Sequence, residues 1–267
     1  MNRKCLIVLA LGFAALLYGP SKAVAQPLSS FAVLGGSTVT NTNTPTIVTG
    51  NLGVSPGSAV TGFPPGIVVG TIHAADAVAA QAQSDLTSVY NNLANTTCNT
   101  VLTGQNLGGL TLTPGVYCFA TSAQLTGTLT LDGQGNPNAT FIFQIGSTLT
   151  TASASSVLLI NGATSCGVFW QVGSSATLGT GTTLAGSIVA LTSITLNTGA
   201  NVTGRALARN GAVTLDNNHV TVCTSLPGGP MLPVGIPTLS EWAMIVLTGL
   251  LVLSGLAALR RRATEPA

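Results

Sequence analysis

Residues 176–186 read ATLGTGTTLAG and residues 194–204 read ITLNTGANVTG, so the second stretch repeats the first, with Thr195 in the place of Thr177. Apolar residues alternate with small polar ones in both copies, which is the period of a β-strand with one buried face. A repeat of about 18 residues is too short for a pair of helices and fits one coil of a three-sided β-solenoid. Glycines in step with the repeat allow the backbone to turn corners. They are Gly181 with Gly199 and Gly186 with Gly204.

A Thr-Leu pair recurs along the whole body of the chain, and most successive pairs are about 18 or 19 residues apart, as in a solenoid coil. The one longer interval, from Thr148 to Thr177, is interpreted as another coil that carries an insertion. We therefore predict about six coils, with the leucines stacked in one internal column. The pairs are Thr111-Leu112, Thr130-Leu131, Thr148-Leu149, Thr177-Leu178, Thr195-Leu196 and Thr214-Leu215.

One stretch, from His73 to Asn95, has helical periodicity, and His73 is interpreted as a residue at the helix start. Asp76 in the first turn suits the helix dipole. The helix would be roughly 33 Å long, close to the length of six or seven coils stacked at about 4.8 Å. We therefore expect it to lie along the solenoid and to cover one side. The apolar stripe is Ala75, Val78, Ala82, Leu86, Val89 and Leu93.

The low charge of the body excludes several classes of function. Between residues 26 and 225 the charged side chains are four aspartates and two arginines, and two arginines do not make the basic surface that nucleic acids require. The arginines are expected to be solvated or paired with Asp216. They are Arg205 and Arg209.

A catalytic or metal site is not predicted either. Glycoside hydrolysis needs two carboxyl groups within about 5–9.5 Å of each other. Asp132 and Asp216 are interpreted as occupying the same coil position four coils apart, which separates them by about 19 Å. His73 and His219 lack the cysteine or aspartate spacing of a metal site, and His219 is expected on the surface of the last coil. We predict a non-enzymatic protein without a cofactor.

Residues 1–25 have the features of a signal peptide. Arg3 and Lys4 precede an apolar run from Leu6 to Leu17, and small residues stand at Ala23 and Ala25. The apolar run is shorter than the roughly 20 residues that span a bilayer. We predict cleavage by signal peptidase before Gln26, which leaves a folded domain at residues 26–225 outside the cytoplasm.

Four cysteines remain in this domain, and an even number in an oxidising compartment predicts two disulfides with three possible pairings. We prefer the pairing of Cys98 with Cys118, because it closes a short loop after the predicted helix. Cys166 and Cys223 are then left for the second bridge.

The C-terminal region has the organisation of a membrane sorting tail. A Pro/Gly-rich linker is predicted at residues 226–235. The tail at 236–267 begins IPTLSEW, continues as an uncharged apolar stretch at 242–259, and ends with three consecutive arginines. The apolar stretch is long enough for a transmembrane helix, with the arginines on the cytoplasmic side.

This tail resembles the IPTL-type variant of the PEP-CTERM sorting signals, although Ala243 stands where glycine usually follows the tryptophan. The resemblance implies recognition by an exosortase-type membrane protease in a Gram-negative bacterium. A plain membrane anchor is the alternative. Either reading places the domain in the cell envelope, on the outer surface or in the medium.

The domain itself resembles the DUF3494 ice-binding-like proteins over about residues 28–224. The resemblance implies a mainly β fold, a discontinuous right-handed β-solenoid of triangular cross-section with one long α-helix packed alongside. Its motifs are SFAVLGGSTV at 30–39, GVSPG at 53–57, TLTPGVY at 111–117, FIFQI at 141–145 and NVTGRALA at 201–208.

The same resemblance implies binding of ice through a flat, Thr-rich face, where some members carry a Thr-Ala/Gly-x-Thr/Asn motif. Residues 180–183 and 198–201 match this motif, and residues 151–154 match it in part. A surface adhesin or matrix protein that binds glycans or other cells is the alternative function. The predicted ice-binding residues are Thr151, Thr177, Thr180, Thr183, Thr195, Thr198, Asn201 and Thr214.

Two threonine columns are predicted from the repeats, and the sequence leaves open which of them faces ice. The first is Thr148, Thr177, Thr195 and Thr214, and the second is Thr151, Thr180, Thr198 and Asn217.

Overall fold

The structure of the protein is a computed structural model that describes residues 28–42 and 45–223. The chain divides into two units, Met1–Leu232 and Pro233–Ala267. The second unit, the linker and the predicted signal peptide therefore lie outside the described residues, as does the predicted membrane helix at 242–259. Among the described residues, no helix has the length and apolar character needed to cross a bilayer.

Short parallel strands make up most of the described domain. One α-helix, α1 (Ala77–Ala94), and two 3₁₀ turns, at Leu28–Ser30 and Ser165–Gly167, accompany them. The strands are β1 (Phe31–Gly35), β2 (Thr38–Asn41), β3 (Ile47–Thr49), β4 (Asn51–Val54), β5 (Ala59–Thr61), β6 (Ile67–Val69), β7 (Ile72–Ala74), β8 (Thr100–Val101), β9 (Thr111–Leu112), β10 (Gly115–Phe119), β11 (Ala123–Leu125), β12 (Thr128–Asp132), β13 (Phe141–Ile145), β14 (Leu149–Thr151), β15 (Ser156–Ile160), β16 (Val168–Val172), β17 (Ala176–Leu178), β18 (Thr183–Ala190), β19 (Ile194–Leu196), β20 (Asn201–Ala208), β21 (Val213–Leu215) and β22 (His219–Thr221).

The strands form three parallel ladders. The first ladder has the order β7-β4-β1-β20-β18-β16-β13-β10-β8, and the second has the order β9-β12-β15-β18-β20-β22-β3-β6. These two ladders join into one 15-stranded sheet, because β18 and β20 contribute to both. The third ladder is a separate 7-stranded sheet with the order β11-β14-β17-β19-β21-β2-β5, called the Thr sheet below.

Gly186 and Gly204 are the points where β18 and β20 pass from the second ladder to the first. They are paired in register and have φ angles of 111° and 149°. Residues other than glycine rarely adopt this backbone conformation. The prediction that these glycines turn corners of the coil is therefore confirmed.

The order of the coils in space differs from their order in the sequence. β1, β2 and β3 pair with β20, β21 and β22, so the N-terminal coil stacks directly on the C-terminal coil. β4 to β7 continue beyond it, and the chain then passes through α1 before it resumes at β8 on the opposite edge of the first ladder. The expected discontinuous arrangement of strands is therefore present.

The helix begins later than the periodicity predicted. Ala75 has a φ of 53°, and Asp76 is the N-cap, with Oδ1 accepting a hydrogen bond from the Ala79 amide at 2.8 Å. Residues 73–76 are therefore not helical, and His73 lies in β7 rather than at the helix start. Partial burial opposes ionisation of Asp76, but hydrogen bonds from Ala79 and His73 hold its pKa below the usual value.

The buried stripe of α1 packs against the outer side of the first ladder, as expected for a helix that covers one side. Burial of this stripe removes both apolar surfaces from water and fixes the helix to the sheet. The stripe is Ala82, Leu86, Val89 and Leu93, and its partners include Phe31, Leu34, Phe169, Val189 and Leu207.

The prediction of a single leucine column is correct for three leucines only. Leu178 pairs with Leu196, and Leu215 is buried in the next strand of the Thr sheet. Leu149 instead pairs with Ala123 and Ala176, while Leu112 and Leu131 pair with each other in the second ladder. The coils on either side of Leu149 are longer than the later ones. An alignment that assumes one constant repeat length therefore places residues from different ladders in the same column there.

Both predicted disulfides are present, Cys98–Cys118 and Cys166–Cys223. The second closes the longer loop, with a sequence separation of 57 residues. Because a crosslink mainly restricts the unfolded chain, we expect the double replacement Cys166→Ser and Cys223→Ser to lower the free energy of unfolding by about 3 kcal/mol. Urea denaturation of the variant beside the parent measures this difference. Equal midpoints for the two proteins would contradict the expected role of the bridge.

Candidate functional site

The outer surface of the Thr sheet carries a column of outward side chains, of which six in succession are threonines. Five of its strands bury their first and third residues and direct the middle one outward, as in Ile194-Thr195-Leu196. These strands are β11, β14, β17, β19 and β21. The last residue of β5 and the third of β2 continue the register of these middle residues. At about 4.8 Å per strand the column is about 29 Å long. In spatial order it is Gln124, Thr150, Thr177, Thr195, Thr214, Thr40 and Thr61.

A second column of small side chains runs beside the first, two positions earlier in the chain at each strand. Two residues of an extended strand span about 6.6 Å, which sets the distance between the columns. Thr148 Oγ1 donates a hydrogen bond to Ser122 Oγ at 2.8 Å, which links neighbouring members. Neither column contains a charged residue. The second column is Ser122, Thr148, Ser175, Ser193, Ala212, Thr38 and Ala59.

The eight predicted residues do not share one surface. Thr177, Thr195 and Thr214 belong to the threonine column of the Thr sheet. Thr183 and Asn201 are paired with each other in the second ladder. The Thr-Gly-x-Thr/Asn motif therefore crosses a corner of the coil. A flat ligand that contacts the first residue of the motif does not also lie flat against the last one.

Thr180 and Thr198 are exposed at the turn between these two surfaces. The Gly181 amide donates to the carbonyl of Thr198, and the Gly199 amide donates to the carbonyl of Asp216. Thr198 thus stacks on Asp216 rather than on Asn217, and its Oγ1 donates to Asp216 Oδ2 at 2.5 Å. The prediction of Asn217 in this column is wrong by one position.

Thr151 is not a surface residue. Its side chain is 3% exposed and lies 2.7 Å from Thr182 Oγ1, and its hydroxyl accepts a hydrogen bond from the Gly179 amide. The prediction of Thr151 as an ice-binding residue is therefore wrong, because the residue occupies an inward position in β14. Its exposed neighbour Thr150 is the one in register with Thr177, so Thr150 replaces Thr148 in the first predicted column.

Sequence reasoning missed three members of the threonine column, Thr40, Thr61 and Thr150. Thr40 is in register with Thr214 and with Thr61, whose hydroxyl donates to Thr40 Oγ1 at 3.2 Å. The period-two pattern of Thr38-Val39-Thr40 was a usable signal for an outward threonine. The repeats did not indicate that Thr40 lies beside the last coil.

The charged residues belong to neither column, although Asp216 lies two positions after Thr214, and they form no catalytic pair in the described domain. Asp132 is in β12 of the second ladder, whereas Asp216 follows β21 of the Thr sheet, so they do not share the predicted coil position. Residues 28–42 and 45–223 contain no group of three potential metal ligands. His219 is exposed, as predicted for the last coil.

The two arginines are not paired with Asp216. Arg205 is 6% exposed, and its Nε and NH2 donate to the carbonyl of Ser29 at 3.2 and 2.8 Å. Burial lowers the pKa of Arg205 to about 10, so the guanidinium stays charged at neutral pH. Arg209 lies over the Tyr90 ring, 4.8 Å from its centre, which is a cation–π contact between the first ladder and α1.

Comparison with known proteins shows the family to which the chain belongs. The family model described as ice-binding-like matches residues 33–221, which is most of the chain. The chain belongs to the ice-binding-like family. A model of the IPTL-CTERM motif matches residues 235–262, which agrees with the predicted sorting tail and indicates export to the cell surface.

Relatives of this ice-binding-like chain match about three quarters or more of its length. An ice-binding protein of Nostoc sp. (strain HG1) is 58% identical over 85% of this chain and 86% of the relative. The crystal structure of an ice-binding protein from an Antarctic biological consortium is 46% identical, with a TM-score of 0.71 over 76% of this chain and 95% of that one. The structure of an ice-binding protein from Antarctomyces psychrotrophicus has a TM-score of 0.72 at 40% identity, over 74% and 97%. Membership of this family confirms the prediction of a non-enzymatic protein.

Proposed function

We propose that the protein binds ice through the outer surface of the Thr sheet. The observation that supports this assignment is the in-register column of six threonines, flanked by a column of small uncharged residues. The protein would thereby slow ice growth or recrystallisation. Thr177, Thr195 and Thr214 keep their predicted role in this proposal, and Thr40, Thr61 and Thr150 join them.

The outer surface of the Thr sheet has the physical properties that binding to ice requires. Ice presents a rigid periodic array, so a complementary surface has to be regular and lose little freedom when it docks. Threonine is stiff at χ1, and a stacked column of threonines loses little side-chain entropy. Parallel strands hold the hydroxyl and methyl groups at a constant spacing. Absence of charge on both columns avoids strongly held hydration water that would have to be removed.

The overall form proposed for the domain is a right-handed, three-sided solenoid, with the three ladders as its sides. Right-handed crossovers are strongly preferred between parallel strands of one sheet. The helix packs on the first ladder, which leaves the Thr sheet uncovered among the described residues. Thr180 and Thr198 would then lie along one margin of the binding surface, and Thr183 and Asn201 on the adjoining side.

Export completes the proposal. Two disulfides in the domain suit an oxidising compartment. Signal peptidase would remove residues 1–25, and an exosortase-type protease of a Gram-negative bacterium would recognise the tail at 236–267. The apolar stretch at 242–259 would hold the chain in the membrane before processing.

Ice-affinity partitioning of the full chain tests the function. We expect the purified protein to enter a slowly growing ice front, while an added non-binding protein stays in the liquid. A glycan-binding screen run on the same preparation tests the adhesin alternative. Exclusion from ice together with retention of a glycan would replace the ice-binding proposal by the adhesin one.

A further inference from the structure

One buried side chain joins the two ends of the described domain. Arg205 in β20 donates from Nε and NH2 to the carbonyl of Ser29, in the turn that precedes β1. Its NH1 donates to Ser187 Oγ at 3.3 Å and lies 3.2 Å from Sγ of Cys223, which follows β22. The guanidinium therefore contacts the start of the domain, its end and the neighbouring strand β18 at the same time.

The acceptors around this guanidinium are neutral while the bridge between Cys166 and Cys223 is closed. They are a backbone carbonyl, a serine hydroxyl and a disulfide sulfur. Burial lowers the pKa of Arg205 to about 10, so the side chain remains a cation at neutral pH. A buried cation is unfavourable without a negative partner. When the bridge is open, the thiol of Cys223 can become that partner by losing its proton.

From this contact we infer that Arg205 activates Cys223 as the thiolate that closes the bridge to Cys166 after the two ends of the domain have docked. Thiolates, not thiols, attack disulfide sulfurs, and a neighbouring guanidinium favours the thiolate form. The carbonyl of Ser29 holds this guanidinium with two hydrogen bonds. Because Ser29 reaches Arg205 only when β1 pairs with β20, the activating contact is complete only when the first coil is stacked on the last.

Closure of the bridge is a thiol–disulfide exchange with an oxidant RSSR, such as glutathione disulfide. Cys166 precedes Cys223 by 57 residues in the chain and reacts first. Its thiolate attacks RSSR, forms a mixed disulfide with one SR group and releases RS⁻. The Cys223 thiolate then attacks Cys166 Sγ, the bond to SR breaks, and a second RS⁻ leaves. Two thiols are thereby oxidised to one disulfide, RSSR is reduced, and the two RS⁻ take up the protons that the cysteines lost.

The consequence is a bridge that closes preferentially in correctly assembled chains. A mixed disulfide at Cys166 persists while the N-terminal coil is undocked, because the thiolate that resolves it is not yet favoured. The other bridge has different surroundings. Cys118 Sγ lies 3.2 Å from Gln144 Oε1, and Cys98 Sγ lies 3.7 Å from the carbonyl of Thr100, so the neighbours of both sulfurs are neutral. The Cys98–Cys118 bridge therefore supplies a control within the same chain.

The first test measures how fast Cys223 reacts in the folded full chain. Cys166→Ser leaves Cys223 as a free thiol, while Cys98 and Cys118 stay bonded. Iodoacetamide labels the chain at neutral pH, and peptide mass spectrometry gives the rate at Cys223. We expect labelling to slow on the order of ten-fold when Arg205→Met is added, because the thiolate fraction falls. Arg205→Lys should keep more of the rate, because it retains a positive charge.

A purely structural role of Arg205 would change this rate in the opposite direction. Loss of the contacts to Ser29 and Ser187 would loosen the packing around Cys223, which is 8% exposed, and labelling would become faster. Unchanged or faster labelling of the Arg205→Met chain therefore overturns the inference.

The control thiol is Cys118, which the replacement Cys98→Ser leaves free. Arg205→Met should not change its rate of labelling, because the guanidinium contacts the other bridge. Equal slowing at Cys118 and Cys223 would show that the substitution acts on the whole fold, and would also overturn the inference.

A second test needs no substitution at Arg205. When glutathione opens the bridge of the parent chain, the sulfur that carries negative charge more easily is the one that leaves. Cys166 and Cys223 are 6% and 8% exposed, so access to the two sulfurs is similar. We expect trapped glutathione adducts on Cys166 to exceed those on Cys223 about ten-fold. Equal adducts, or an excess on Cys223, would contradict activation of Cys223 by Arg205.

Discussion

Replacing Thr195 with tyrosine is expected to lower the affinity of the protein for ice on the order of ten-fold or more, equivalent to at least about 1.4 kcal/mol. Thr195 lies between Thr177 and Thr214 in the threonine column, and its side chain points out of the sheet. A tyrosine ring projects beyond the neighbouring methyl and hydroxyl groups and lifts them from a flat ligand. Ice-affinity partitioning and the rate of recrystallisation measure the loss.

The melting temperature of this variant should stay within about 2 °C of the parent, because an outward substitution removes no core contact and tyrosine is a favourable strand residue. Thr183→Tyr is the matched control, since Thr183 is an exposed residue of the second ladder. We expect it to keep the affinity for ice. If only the Thr183 variant loses affinity, the second ladder is the binding surface and the assignment to the Thr sheet is wrong.

The largest loss of stability is expected from Gly204→Ala, about 4 kcal/mol or complete failure to fold. A Cβ atom at this position would lie 2.0 Å from the carbonyl oxygen of Gly186, and φ is 149°. Both the backbone overlap and the conformational strain act at the corner where β18 and β20 pass between ladders. Thermal and urea denaturation measure the effect.

Gly199→Ala is the control that separates strain from overlap. Gly199 has a φ of 71°, but an added Cβ would have nothing within 4 Å. Only the left-handed backbone conformation then opposes alanine, at a cost of about 1 kcal/mol. Equal losses in the two variants would show that close stacking of Gly186 and Gly204 is not what constrains this corner.

The local features of the fold were predictable because they depend on neighbours in the sequence. A period of two in Ile194-Thr195-Leu196 fixes which side chain is buried and which is outward. Regular glycines marked the corners at Gly186 and Gly204. The central threonines of the Thr sheet therefore followed from the sequence.

Features that depend on coil length were not predictable from the repeats. The coils that precede Ala176 are longer than those that follow it, so Thr148 and Leu149 were aligned with the wrong partners. The motif at 180–183 crosses a corner, and a motif alone does not say where a corner falls. The buried state of Thr151 has the same origin, because a shift of one position along a strand turns a side chain to the other face.

Pairing between residues that are far apart in the sequence could not be predicted for a different reason. Thr40 belongs beside Thr214 because the first coil stacks on the last, and no local signal records that contact. Arg205 looked like a surface residue because arginine usually is one. Its burial follows from the carbonyl of Ser29, which becomes its neighbour only after the two ends of the domain meet.

The stacking of the first coil on the last also determines when this protein can fold. β1, β2 and β3 have their partners in β20, β21 and β22, which are the last strands of the described domain to leave the ribosome. The N-terminal coil therefore has an unpaired edge until the chain reaches Thr221. Pairing across so long a separation is slow, because the loop has to close before its contacts form. Folding of the complete domain is thus postponed until residues 28–223 have all been synthesised.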